Sequence, residues 1–246
     1  MHTDYDTIAK EYQASKLLPW RQHTEAYTFF KLIGNLEGLQ VLDLACGEGF
    51  YTRQVMLRGA SRAVGVDISA GMIQLAREAE TSRPFGIQYH VCDVLELDLG
   101  QTFDLVCASY LLNYSRTAAE IGQMCAVISK HLKPGGRFVT INSNPDHRCP
   151  PGALRHYGFT RENESYQESA EVIYRFYQED GSHIAVTNYH LEKKTHEAAF
   201  LKAGLTDVRW HSLELSPEGL QEFGSDYWKA IVDCQPVIGI SCMKPR

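Results

Sequence analysis

The chain has 246 residues, 44% of them hydrophobic, and a formal charge of −6 with lysines and arginines scattered along it. That length suits a single α/β domain with an insertion, and the scattered basic residues give no footprint for a phosphate backbone, which excludes nucleic acid as the expected substrate. No run approaches the roughly 18–20 apolar residues that span a bilayer, and the polar, acidic start Met1-His-Thr-Asp-Tyr-Asp6 is unlike a secretory leader, so a cytoplasmic monomer or homodimer with no membrane partner is expected.

Two helical patterns come first, at about 4–15 and 20–35, the second closing at Gly34-Asn35 with Phe29, Phe30 and Ile33 available for a buried face. The chain then alternates. Short β-rich runs at 41–44, 63–66, 87–91, 105–108 and 137–141 are separated by helical stretches near 50–58, 71–80 and 117–132, with a shorter helical piece between the third and fourth runs. Strands alternating with helices predict a parallel sheet covered on both faces, with its ligand beyond the carboxyl ends of the strands. Past Ile141 the pattern breaks at Asn142-Ser-Asn-Pro and Cys149-Pro-Pro-Gly152. Residues 171–178 and 183–191 then read as a hairpin through Glu-Asp-Gly181. A helix near 194–203, a strand near 206–211, a helical segment with Tyr227 and Trp228, and a strand near 236–243 close the domain. The expected fold class is therefore α/β, a doubly wound, mostly parallel seven-stranded sheet, with residues 145–192 as a cap insertion after the fifth strand.

Seven cysteines are an odd number and none forms Cys-x-x-Cys, which argues against a disulfide framework and a structural zinc site. The ten histidines contain no His-Glu-x-x-His pair, so no metal is expected.

The strand ending at Asp43 runs into Gly47-x-Gly49 and an immediate helix. Such a loop presents backbone amides and a positive helix end to a flat or anionic ligand. Asp67 ends the next strand, 24 residues after Asp43, where a carboxylate can accept both hydroxyls of an adenosine ribose. NAD is the natural competitor, but position 52 is Thr where a dinucleotide loop has its third glycine. Asp43 would also face the negative pyrophosphate. A cofactor with a cationic sulfonium suits that carboxylate, which favours S-adenosylmethionine.

These residues resemble the class I S-adenosylmethionine-dependent methyltransferases, in their small-molecule branch. The resemblance covers about residues 5–142. It is carried by Val41-Leu-Asp-Leu-Ala-Cys-Gly-Glu-Gly49, Val64-Gly-Val-Asp-Ile-Ser69, Cys92-Asp93-Val94, Phe103-Asp-Leu-Val106 and Leu132-Lys-Pro-Gly-Gly-Arg-Phe138. The family has Gly where this chain has Ala45. The resemblance implies a Rossmann-like methyltransferase fold. It also implies that Asp43 and Ala45, Cys46, Gly47 and Gly49 surround the methionine part, that Asp67 binds ribose, and that Ile68 and Met72 pack near adenine. Cys92, Asp93 and Val94 would meet the adenine edge, and Ser109 with Tyr110 the floor near sulfur. Tyr5-Asp-x-Ile-Ala-x-x-Tyr12 is similar to the helix that covers bound cofactor in relatives, or is a simple docking helix. Arg21 could clamp the methionine carboxylate through its bidentate fork, or be a solvated Arg at a helix start.

For a small-molecule acceptor the candidates are Tyr110, Asn113, Tyr114, Asn142, Tyr189, His190, Tyr227 and Trp228, since aromatic walls with polar tips suit a flat ligand. Tyr110, Asn113 and His190 are the catalytic candidates, with His190 as general base. The expected reaction is methyl transfer to a heteroaromatic or natural-product-like nitrogen. The alternatives are transfer to oxygen or carbon, or a non-catalytic cofactor-binding module.

Overall fold

In the computed structural model, described over residues 5–6, 12–13, 15–178 and 180–246, five runs rich in branched residues form parallel neighbours. They are β1 (Gln40–Leu44), β2 (Arg62–Asp67), β3 (Gln88–Val91), β4 (Phe103–Ser109) and β5 (Leu132–Ser143). A separate antiparallel sheet follows, of β6 (Phe159–Asn163), β7 (Glu171–Tyr177) and β8 (His183–Tyr189). The chain then returns through β9 (Thr206–His211) and β10 (Val237–Met243), completing the order β3-β2-β1-β4-β5-β10-β9. β10 alone runs antiparallel to its neighbours. This is the expected doubly wound sheet. Its central strands read as near-continuous apolar runs because both faces are covered: Val41, Leu42, Leu44, Val64 and Val66 are all fully buried, whereas the edge strands β3 and β9 are largely polar and exposed.

A π-helical turn, Arg21–Ala26, continues into α1 (Tyr27–Ile33), and α2 (Phe50–Leu57) and α3 (Ala70–Ser82) follow β1 and β2. Phe29, Ile33, Val55, Ile73 and Ala76 from these helices share one core. α4 (Ala118–His131) and α5 (Lys193–Lys202) cover the other face through Ile121, Cys125, Ile128 and Phe200, and α6 (Pro217–Cys234) kinks at Gly224 before β10. Side-chain caps fix where helices begin. Ser69 accepts from Met72 N–H at 3.0 Å, Thr117 from Glu120 N–H at 3.2 Å, and Ser216 from Gly219 N–H at 3.0 Å, each contributing about 1 kcal/mol. Glu120 also accepts Arg116 N–H at 2.6 Å, one residue before the Thr117 cap.

The second sheet turns Val172, Tyr174 and Phe176 inward by strict alternation. Their rings join the core that holds Trp20, which stacks on Phe159 with centroids 4.5 Å apart. β6 is the element that the sequence pattern does not announce. Its Phe-Thr-Arg-Glu-Asn run has one buried apolar residue, and its partner strand, not its own alternation, makes it extended.

Cysteine pairing departs from expectation. Cys149 and Cys234 form a disulfide with Cα atoms 5.2 Å apart. The odd count excludes a fully paired framework and not a single bridge. This one ties the loop after β5 to the end of α6 across 85 residues. Among the described residues no helix is long and apolar enough to cross a membrane.

Candidate active site

A cavity of about 590 Å³ opens beyond the carboxyl ends of β1, β2 and β4, where the strand order reverses between β1 and β4. This is the crevice position expected of an open α/β sheet. Asp43 and Asp67 end β1 and β2 and are 2% and 8% exposed. Asp67 organises the loop: its Oδ2 accepts Gly47 N–H at 2.8 Å and its Oδ1 accepts Ser69 N–H at 2.9 Å. Burial raises its pKa while these backbone bonds oppose the rise. Each carboxylate oxygen retains a second acceptor position.

Asp43 Oδ2 accepts the Thr52 hydroxyl at 2.6 Å. Burial pushes its pKa up to about 7, against the opposing pull of that hydroxyl and of Lys16. Thr52 thus ties down the residue that β1 delivers, at the position where a dinucleotide loop would have glycine. The two loop glycines have different duties. A Cβ on Gly47 would meet nothing nearer than Met72 Sδ at 4.0 Å, so its open face borders the cavity. A Cβ on Gly49 would sit 2.3 Å from the Tyr89 hydroxyl, and its φ is +77°. Gly49 therefore serves a left-handed turn and Tyr89 packing, and does not line the cavity. Ala45 does line it, at a φ of +54°, a conformation that costs a side-chain-bearing residue about 1–2 kcal/mol.

The remaining candidates divide by position. Cys46, Ile68, Met72, Asp93 and Val94 line the cavity, as do Ser109, Tyr110 and Tyr114. Ser109 Oγ is buried with no hydrogen-bond partner among the described residues. Tyr5 and Tyr12 also line the cavity; the Tyr5 hydroxyl bonds the Tyr114 hydroxyl, and Asp6 accepts Gly71 N–H at 2.8 Å at the start of α3. Ile8 and Ala9 of the same motif lie outside the described residues. Cys92 stays off the cavity, and its N–H donates to Asp67 O at 2.9 Å.

Arg21 is not a lining residue. It is 1% exposed, and its Nη1 lies 3.3 Å from both carboxylate oxygens of Glu25. Glu25 also accepts the hydroxyls of Tyr51, at 2.6 Å, and of Tyr110. Burial opposes both charges, but each partner holds the other ionised: Glu25 below its ordinary pKa and Arg21 above. Lys16 does line the cavity and faces Asp43, with its Nζ over the Tyr12 and Tyr51 rings at 5.4 and 5.0 Å. Nothing in its sequence spacing separates it from a surface lysine.

Asn113 and Asn142 sit behind the wall. Asn113 N–H donates to Asn142 Oδ1 at 3.1 Å, and the Asn113 amide group is buried without a partner among the described residues. His190 is off the cavity, beside Tyr166, and burial together with Arg161 lowers its pKa. Tyr189 lies under the Arg116 guanidinium at 4.9 Å. Trp228 donates to Gly219 O at 2.8 Å and packs edge-on against Tyr227, both within α6. The far end of the cavity, Leu111, Arg116, Glu120, Gln123 and Met124, comes from α4 and its lead-in, where the sequence shows only an amphipathic helix.

Comparison with known proteins follows this geometry. Residues 41–136, which run from β1 to the turn inside β5, match the model of a methyltransferase domain. An S-adenosylmethionine-dependent methyltransferase from Mesorhizobium loti superposes over 94% of this chain and 100% of its own, at 19% identity and a TM-score of 0.67. The fold is that of the Rossmann-like methyltransferases. Two curated relatives are similar over part of the chain. A demethylmenaquinone methyltransferase from Symbiobacterium thermophilum is 30% identical over 154 residues, 57% of this chain and 55% of that protein. A ubiquinone biosynthesis O-methyltransferase from Acinetobacter baylyi is 30% identical over 161 residues, 59% of this chain and 66% of that protein. The match thus spans little more than half to two thirds of these relatives.

Proposed function

We propose that this chain transfers a methyl group from S-adenosylmethionine to a small planar acceptor, with a ring nitrogen as the receiving atom. The observation that carries the reading is the pairing, in one cavity, of the open face of Gly47 with an Asp67 carboxylate that already holds the loop and keeps acceptor capacity free. The residues fit the cofactor. Ser109 Oγ is an orphaned donor on the floor, Asp43 is a buried carboxyl suited to a cation, and Lys16 is suited to the methionine carboxylate. When bound, S-adenosylmethionine supplies a methyl group on a cationic sulfur.

The chain's own contribution is alignment and exclusion of water, and orientation can supply about 7–11 kcal/mol. Asp67 fixes the ribose end, Asp43 balances positive charge, and Tyr5 and Tyr12 close the cavity over both. Residues 1–35 accordingly act as a cover for the cofactor, and residues 145–192 as a cap on the acceptor side. Burial holds the Tyr5, Tyr110 and Tyr114 hydroxyls protonated far above neutrality. No histidine lines the cavity among the described residues. A neutral ring nitrogen needs no base during attack, whereas a phenol would. Segments 27–49 and 72–77, with Asn113-Tyr114 and Tyr227-Trp228, also resemble toxoflavin N-methyltransferase.

Two measurements test the reading. A thermal shift with S-adenosylhomocysteine and none with NADH is expected. Turnover of methyl-labelled cofactor with a panel of azaheterocycles and phenols should favour the azaheterocycles. Cofactor binding without transfer to any acceptor would instead identify a binding module, and preference for phenols would move the receiving atom to oxygen.

A further inference from the structure

The cavity does not end at its tyrosine wall. Tyr12, Tyr110 and Tyr114 also border a water-sized void of about 10 Å³, whose far side is made by Arg21, Phe176 and Asn188. Arg21 spends only Nη1 on Glu25; its Nε and Nη2 are buried with no hydrogen-bond partner among the described residues. On a guanidinium, Nε–H and one Nη2–H project in parallel from the same edge, a fork that matches two syn acceptor atoms. Buried donors are normally paired, yet Trp20 Nε1 and Asn188 Nδ2, which border the same void, also have no partner among the described residues. Glu25 cannot turn to the Arg21 edge, because its two oxygens are also held by Tyr51 and Tyr110. The guanidinium carbon lies 4.9 Å from the Phe176 ring centre, 5.5 Å from Tyr12 and 5.6 Å from Tyr110, so the free edge looks out between aromatic faces.

The geometry points to an acceptor-recognition subsite in which the Arg21 Nε/Nη2 edge binds a carboxylate, or a carbonyl and ring nitrogen with the same syn spacing, on a flat aromatic acceptor. It rests on the methyl-transfer reading and names the acceptor class that reading leaves open. At about 10 Å³ the void is water-sized, so the Tyr12 and Tyr114 rings must part for both acceptor atoms to reach the Arg21 edge. The ring lies in the main cavity against Tyr12, Tyr110 and Tyr114, with its reacting atom toward the cofactor. Arg21 is thus a binding residue for the acceptor, and the Glu25 carboxylate positions it through Nη1.

The test is calorimetry on the whole protein with quinoline-2-carboxylate, its methyl ester and quinoline, each with and without saturating S-adenosylhomocysteine. The carboxylate is expected to bind at least about ten-fold more tightly than the ester or the parent ring, as a charged, two-point hydrogen bond requires. Arg21→Lys, which keeps the charge and loses the fork, should abolish most of that preference while S-adenosylhomocysteine affinity stays within about two-fold. Equal binding of the three probes, or none, overturns the subsite, and so does a preference that survives Arg21→Lys. If Arg21→Lys does not fold, Lys16→Met is the control: a carboxylate preference that it abolishes belongs to Lys16 and overturns the subsite, and one that it leaves intact supports it. Failure of S-adenosylhomocysteine to bind sinks the methyl-transfer reading instead, and the probe ranking measured without it still reports on the Arg21 edge.

Discussion

Asp67→Asn separates the two duties of that carboxylate. Asn keeps one oxygen and replaces the other with an NH2 group, so one of the two backbone donors it now serves, Gly47 N–H at 2.8 Å or Ser69 N–H at 2.9 Å, faces a donor. Leaving a buried N–H unsatisfied costs about 1–3 kcal/mol. For a domain of this size that lowers Tm by roughly 2–12 °C. Losing one charged hydrogen bond to a ribose hydroxyl removes a further 1.5–3 kcal/mol from binding, roughly, a 12- to 160-fold rise in the Kd of S-adenosylhomocysteine. Differential scanning calorimetry reads the first effect, and titration calorimetry below the variant's Tm reads the second. A lowered Tm with an unchanged Kd would refute the ribose assignment and leave Asp67 as a loop anchor.

Asp43 sets a pH dependence. With its pKa pushed up to about 7 in the free protein, it is protonated below that value, and a cationic cofactor favours its anion. S-adenosylmethionine should therefore bind more tightly as pH rises from 6 to 8, roughly, with proton release in titration calorimetry and a flat profile in Asp43→Asn. The free protein should lose stability as pH rises from about 4 to about 7 and no further above that, because the unfolded chain ionises this carboxyl near 3.8 and the folded one only near 7. Lys16→Met should raise the S-adenosylmethionine Kd about two- to five-fold, consistent with a partly exposed ion pair; an unchanged Kd would leave Lys16 as a packing residue over Tyr12 and Tyr51. Gly49→Ala should lower Tm by several degrees, at about 1–2 kcal/mol for the left-handed backbone alone, because its Cβ meets Tyr89; a wild-type melt would show that the loop shifts freely. A thiol reagent in denaturant should find five reactive cysteines before reduction and seven after, and reduction should cost up to about 4–5 kcal/mol of stability from loop entropy.

The sheet was legible because buried parallel strands read as near-continuous apolar runs, and Val41–Leu44, Ala63–Val66 and Leu105–Ala108 show such runs, broken only by Asp43 and Gly65. The loop residues were legible for a related reason: a left-handed turn and a carboxylate at a strand end are local requirements. What escaped depends on contacts between distant segments. Arg21 looks like a carboxylate clamp in isolation, but Glu25 stands one helical turn along, and two tyrosines from α2 and the end of β4 fix that pair. His190 has the chemistry of a base and is carried away from the cavity by the far end of β8. The Cys149–Cys234 bond joins residues 85 apart that no spacing rule connects.

Tyr110 leaves β4 with a φ of +67°, its N–H held by Ile141 O and its hydroxyl by Glu25. A bulky residue in that region carries of order 1–3 kcal/mol of strain, so the backbone turn, not a choice of rotamer, aims this ring. Glycine would relax the turn and drop the anchor; any other residue would keep the strain and lose the hydroxyl. Tyr12, Tyr114 and Phe176 border the same void without that backbone constraint, so substitution there reshapes it at lower backbone cost than at position 110.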